Sequence, residues 1–256
     1  MLNMKRILVT FALSAFATAS GFASTTILSG GALEFTSPDD LLLDPSTVVV
    51  AVDVFGNADS VVNGVTFQTD GQQNGGGSVT NGLVTVTTTA ANQIDNWAAA
   101  PAFTGGTGDS AANLANVMQD IRWNGAPDPI TIDIAGLTPG NFYNVQLLFN
   151  EGGDRGRQFD IGVDDILVAD NWTSEGEDGV WTADNSFAYF GDFDPGADGI
   201  LNIVMQRDIG GADFDGLDGN PTLQAVIVHS TVIPEPGSSV LLGLSLFSLL
   251  LRRKRS

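Results

Sequence analysis

Two short acidic stretches hold the densest chemistry in the chain. Asp192-Phe193-Asp194-Pro195-Gly196-Ala197-Asp198-Gly199 places three carboxylates and a turn-forming glycine in eight residues. Asp213-Phe214-Asp215-Gly216-Leu217-Asp218-Gly219-Asn220 repeats the arrangement. Calcium takes six to eight oxygen ligands on a flexible loop, and closely spaced Asp residues supply oxygens. The calcium candidates are therefore Asp192, Asp194, Asp198, Asp213, Asp215 and Asp218. Neither stretch follows the EF-hand pattern, which needs Asp-x-Asp-x-Asp-Gly and a distant Glu. The competing reading is an Asp-Gly turn, in which the Asp side chain bonds its own backbone.

The four tryptophans, Trp97, Trp123, Trp172 and Trp181, fall in or near expected loops. An aromatic face on a loop can stack a sugar ring, while polar neighbours meet its hydroxyls. Trp172 and Trp181 bracket the acidic segment Thr173 to Gly179 and are the sugar-contact candidates. The competing reading is that such rings seal the core. His229 is the sole histidine and sits at the end of an expected strand. A Ser-His-Asp triad would have to use it, and a triad is recognised by geometry. With thirty acids, pairs of carboxylates are expected by chance, so two-acid glycosidase chemistry remains the enzymatic alternative. No catalytic residue is singled out, and a non-catalytic protein is expected.

Charge divides the chain into parts. Lys5 and Arg6 lie at the start, and Arg252, Arg253, Lys254 and Arg255 at the end. Only Arg122, Arg155, Arg157 and Arg207 lie between, against thirty acids, a net of −26. Such a body repels phosphates, which excludes nucleic acid as a natural partner. The absence of cysteine excludes disulfides, Cys-ligated zinc and a thiol nucleophile.

The N-terminus has the order of a secretory signal: Lys5-Arg6, the apolar run Ile7 to Ala17, then small residues. Ala17-Thr18-Ala19 or Gly21-Phe22-Ala23 would suit a signal peptidase; a buried N-terminal helix is the alternative. The apolar run Ser238 to Leu251 is shorter than the ~20 residues of a comfortable span. Snorkelling of flanking basic residues can extend it, and the basic cluster after it leaves the body outside the cytoplasm. The expected layout is a signal peptide at 1–23, a body at 24–229, a linker at 230–237 and a transmembrane helix with basic tail at 238–256.

Pro234-Glu235-Pro236, then a short apolar segment, then Arg252-Arg253-Lys254-Arg255, resembles the PEP-CTERM sorting signal of Gram-negative and related bacteria. The resemblance covers the tail alone. It implies export, an exosortase-type processing enzyme as partner, passage through the inner membrane, and surface display or release beside exopolysaccharide. Two prolines restrict the backbone and keep the motif extended, where an enzyme can grip it.

The body reads as an all-β chain. Short β-prone runs at Val48 to Phe55, Val65 to Thr69, Leu83 to Thr88, Ile130 to Ile134, Tyr143 to Phe149, Phe159 to Val163, Phe187 to Phe190, Ile200 to Met205 and Leu223 to Val228 are split by Gly, Asn, Asp and Pro. Alternation within several of them predicts one face in the core and one in water. Many such strands predict a β-sandwich or jelly roll. One short helix is expected over Ser110 to Ile121, capped by Asp109 or Ser110 and plugging an end of the sandwich. Pro139-Gly140 suits the central positions of a type II turn. The segment YNVQLLFNEGGDRGRQFDIGVDD, with Tyr143, Leu147, Phe149, Glu151, Arg157, Phe159 and Ile161, resembles the malectin and galactose-binding-like β-sandwich families. The likeness runs from about Ile130 to His229 and implies fold more than function. Glu151 and Arg157 are expected to pair and hold a loop between strands. The reading as a whole is an exported surface or matrix protein with a structural or carbohydrate-binding body.

Overall fold

The computed structural model describes residues 26–69, 77–89, 92–173, 182, 186–211 and 218–231. The expected signal peptide, the Pro-Glu-Pro motif, the C-terminal apolar run and the basic tail lie outside these residues, as do Trp181, Asp213 and Asp215. No helix among the described residues is long and apolar enough to cross a membrane.

The described chain is mostly β, as expected. The strands are β1 (Thr26–Phe35), β2 (Val48–Asp53), β3 (Ser60–Val62), β4 (Val65–Gln68), β5 (Ser78–Asn81), β6 (Val84–Thr87), β7 (Gln93–Ile94) and β8 (Ile121–Trp123). They continue with β9 (Ile130–Ile134), β10 (Phe142–Phe149), β11 (Phe159–Val163), β12 (Ile166–Trp172), β13 (Ser186–Asp194), β14 (Leu201–Gln206), β15 (Thr222–Leu223) and β16 (Ala225–Thr231). One sheet has the order β1-β13-β10-β16-β2-β4-β3 and faces a second with the order β12-β11-β14-β9-β6-β5. A small third sheet, β15-β8-β7, forms a separate ladder, with Leu223 of β15 reaching into the core between the two large sheets. Pairing is antiparallel except between β2 and β4.

Alternation places the second sheet as expected. Ile130, Ile132 and Ile134 of β9 and Leu201, Ile203 and Met205 of β14 point into the core between the sheets, where Val145, Leu147 and Phe149 of β10 meet them. The first sheet departs from the expectation, because its centre is buried on both faces. Leu148, Ala188, Ala225 and Ile227 form a second core on its outer side with Phe35, Phe67 and Phe103.

The helix α1 (Ser110–Val117) covers that outer face rather than plugging an end, inserting Leu114, Val117 and the adjoining Met118. Each such side chain contributes about 1.5–3 kcal/mol when buried. The helix is also shorter than the sequence suggests. Ile121 matches helical spacing, yet it lies in β8, paired on one side with β7 and on the other with β15. Asp109 makes no side-chain cap; the Ser110 hydroxyl instead accepts from Asn63 N at 2.8 Å.

Two turns show how sequence sets register. Asn141 N donates to Thr138 O at 3.2 Å around Pro139-Gly140, with Gly140 at φ 80, as a type II turn requires. Between β11 and β12, Asp164 and Asp165 both adopt positive φ, the two-residue hairpin geometry usually given to Asn-Gly.

Candidate functional site

The registers of the first sheet put Phe149, Phe187, Ala225 and Asp53 at one end of the sandwich. Phe149 meets Phe159 and Trp172 there, ring centroids 5.8 and 5.5 Å apart, so the second sheet contributes the ends of β11 and β12. This end holds many of the polar residues that the fold buries. Asp53, Asp120, Arg122, Asn124, Asn150, Glu151, Arg157, Thr222 and Gln224 are all buried here.

The four arginines of the body converge on the same end. Arg157 grips Glu151 through its Nε, meets Asp218 at 3.2 Å and donates to the Asn220 carbonyl. The expected Glu151–Arg157 pair is thus present, and it ties the 150–158 loop to the 218–222 segment. Arg155 stacks its guanidinium on Trp97, 4.2 Å from the ring centroid, and lies 3.8 Å from Glu151. Arg122, fully buried, donates from Nε to Val54 O at 2.7 Å. Arg207 lays its stem over Gly219, where an added Cβ would come within 2.6 Å of its Cγ.

Between these groups lies a cleft of about 230 Å³, walled by Trp97, Trp123, Arg155, Arg157, Asp218 and Thr222. Trp97 and Trp123 are half-buried and Arg155 is 43% exposed, so both rings and one cation reach solvent. Thr222 is 0% exposed, and its Oγ1 has no hydrogen-bond partner among the described residues. The Trp97 Nε1 likewise has none. A buried hydroxyl without a partner costs about 1–3 kcal/mol, a cost that a ligand hydroxyl would remove. Position is fixed by close approach: Gly152 packs so tightly on the turn bearing Trp97 that a Cβ there would meet the Trp97 carbonyl at 2.5 Å.

The sequence candidates are distributed differently. Trp172 lines a larger cleft of about 680 Å³ with Glu34, Asp170, Asn171 and Phe187. Its ring, however, is packed on Phe149 and stands edge-on to Tyr189 at 5.8 Å, against the core between the sheets. Trp181 lies outside the described residues, so the expected Trp172–Trp181 pair is placed by one member. Trp97 is one of the four loop tryptophans of the sequence, but no spacing rule joins it to Arg155 in a separate loop.

The calcium candidates are engaged in turns and pairs. Asp192 accepts from Asn144 Nδ2 at 2.9 Å, Asp194 from Gly196 N at 3.0 Å and Asp198 from Ile200 N at 3.2 Å. Asp218 accepts from Asn220 N at 2.9 Å besides facing Arg157. The contacts of Asp194 and Asp198, and the Asp218–Asn220 bond, have the form of Asp turns, whereas Asp192 pairs with Asn144 across strands. Among the described residues, no group of three or more His, Asp or Glu is disposed to hold a metal ion.

His229 lies at the opposite end of the sandwich, in a cleft of about 450 Å³ with Leu41, Leu42, Asp44 and Thr47. Gln146 Nε2 donates to its Nε2 at 3.0 Å, leaving Nδ1 to carry the proton toward Thr47 Oγ1 at 3.4 Å. Burial pushes its pKa down to about 4, opposed by the nearby Asp44 carboxylate. That is a neutral strand-end histidine whose hydrogen-bond partners are an amide and a threonine hydroxyl.

No known protein-family model matches the chain, and no curated protein matches it. Solved structures do. The chain is similar to the ANXUR1 extracellular domain from Arabidopsis thaliana at 13% identity and TM-score 0.44, covering 72% of this chain and 48% of that one. It is similar to the plant receptor-like kinase ANX2 at 13% identity and TM-score 0.46, covering 73% and 49%. It is also similar to a calcium-binding mutant of Bacteroides uniformis β-glucuronidase 2 at 10% identity and TM-score 0.45, covering 71% and 18%. The chain spans about half the length of the plant proteins it matches.

Proposed function

We propose that this chain is an exported, non-catalytic glycan-binding protein of a bacterial surface or matrix, with a malectin-like body. Its two end segments route it, and the Trp97 cleft holds its ligand. The observation that carries the reading is the meeting of an arginine-stacked Trp97 with Thr222, a buried hydroxyl without a partner, in one small cleft. An aromatic face gives a sugar ring apolar contact, and a few fixed polar groups read its hydroxyls. The carboxylates around the cleft, Glu151 and Asp218, are engaged by Arg157, which suits a brace better than an acid–base pair.

The test is titration of the full-length chain with a panel of polysaccharides, followed by tryptophan fluorescence and by release of reducing sugar. Saturable binding without product, lost in Trp97→Ala, is the expected result. Turnover that dies with one Asp or Glu substitution would replace the reading with a glycan-active enzyme. Unchanged binding in Trp97→Ala would move the site elsewhere. Export and sorting have their own test, mass spectrometry of the protein from its native host. A mature C-terminus near Pro234-Glu235-Pro236 is expected; an intact tail would mean anchoring without processing.

A further inference from the structure

We propose that the Trp97 cleft is one of two adjoining subsites, and that the ligand is a neutral glycan chain rather than a single sugar. The inference rests on the glycan-binding reading and extends it to a second cavity. That cavity, of about 330 Å³, is lined by Asp53, Asn57, Asp95, Asn96, Asn116 and Asp120, among others.

The two cavities share one wall. Ile94 and Trp97 face the first, while Asp95 and Asn96, between them in sequence, face the second. Ile121 and Asp120 divide in the same way. The turn at 94–97 is therefore a rib between two clefts, and it is held rigidly. Asn96 sits at φ 52 and donates its backbone N–H to Asp120 Oδ1 at 2.7 Å, and Ala98 N donates to Gln119 O at 3.2 Å. Gly152 backs the same turn from the other side. A ligand that filled both clefts would cross the exposed residues Asp95 and Asn96 at the crest.

Size and chemistry argue for a chain. The first cleft alone is below the ~300–1,000 Å³ of a typical small-molecule site and the second, of about 330 Å³, only just reaches it, whereas the two joined lie well inside it. The first offers aromatic faces and the second offers amides and carboxylates, without an aromatic lining residue. Successive rings of one polymer would meet stacking in one place and hydroxyl recognition in the next. The second cleft also narrows the class of sugar that it would seat, although Arg155 lines the first. Carboxylates there repel a uronate or sulfate at short range, while sugar hydroxyls donate to them.

The test titrates the full-length chain with neutral glucans of one to six units, in α-1,4, β-1,4 and β-1,3 linkages, beside a uronate oligomer of matched length. For one neutral linkage, affinity should rise at least about tenfold between one and four units and then level off. Asn116→Ala and Asn57→Ala, both at exposed positions, should remove that gain. Trp97→Ala should abolish binding at every length. Equal affinity for one and six units would overturn the second subsite while leaving the first. So would a full gain retained in both Asn variants. Preference for the uronate oligomer would overturn the neutral class. Absence of any binding would overturn this inference and the reading beneath it together.

Discussion

The two ends of the sandwich are closed by different means. The end bearing Trp97 is braced by charge: Arg157 joins Glu151, Asp218 and the Asn220 carbonyl, and Arg122 fastens the segment after β2. The end bearing His229 uses neutral hydrogen bonds and Asp turns, such as Gln146 to His229 and Gly196 N to Asp194. Charge bracing fixes loops that have no ladder of their own, which a binding cleft needs. Turn chemistry merely reverses the chain between strands. The difference predicts that substitutions at the two ends will fail in different ways and by different amounts.

The largest effect belongs to Arg157. Arg157→Met leaves Glu151 buried without its partner and should cost about 3–5 kcal/mol in a denaturant melt. Replacing the pair together, Arg157→Met with Glu151→Leu, should recover much of that loss, because the fully buried carboxylate goes with the guanidinium and only the part-exposed Asp218 loses its partner. If the single and double variants melt alike, the brace is not electrostatic. Gly152→Ala comes next. Its new methyl group must push the Trp97 carbonyl, so a cost of about 1–3 kcal/mol is expected, with weakened ligand binding. Wild-type affinity in this variant would show that the rib is not set by that contact.

This asymmetry was only partly legible in the sequence. Local rules found what local physics decides. Pro139-Gly140 forms its turn, and the alternation of Ile130 to Ile134 places three isoleucines inward. The pairing of Glu151 with Arg157 was also legible, since both lie in one loop. Other features depend on residues brought from afar. Ile121 fits a helix by spacing, but pairing with Ile94 and Leu223's strand draws it into β8. Strand β12 was missed because Asp164-Asp165 is a poor hairpin signal by composition, although both residues adopt the needed positive φ. Counting showed that the body has four arginines; only the fold shows that they share an end. In sequence Trp97 is one of four loop tryptophans with nothing to set it apart, because its partner Arg155 comes from another loop.

At the other end, pH replaces salt-bridge chemistry as the lever. The folded protein keeps His229 neutral down to about pH 4, whereas the unfolded chain takes up its proton near the ordinary value of 6.5. Stability is therefore whole above pH 6.5 and falls as pH drops from there toward 4. Melting temperatures of the wild type and His229→Gln should differ by a constant above pH 6.5. Below it, the wild type should lose ground faster. Parallel curves down to pH 4 would mean that the imidazole is not held neutral.

The smallest expected effect is at Asp194, where it decides what the acidic stretch is for. Asp194 Oδ1 accepts the Gly196 N–H, and Gly196 adopts φ 70, so the carboxylate organises the turn after β13. Loss of one such bond at a partly exposed site is worth about 1 kcal/mol. Asp194→Ala should cost about that much, and Asp194→Asn less, because the amide oxygen accepts the same bond. A turn of this kind needs no ion, so adding calcium should leave the melting temperatures of all three proteins unchanged. If calcium instead raises the wild type and not Asp194→Ala, the carboxylates are ligands. The quieter end of the sandwich would then be braced by charge as well, through a bound cation in place of arginine.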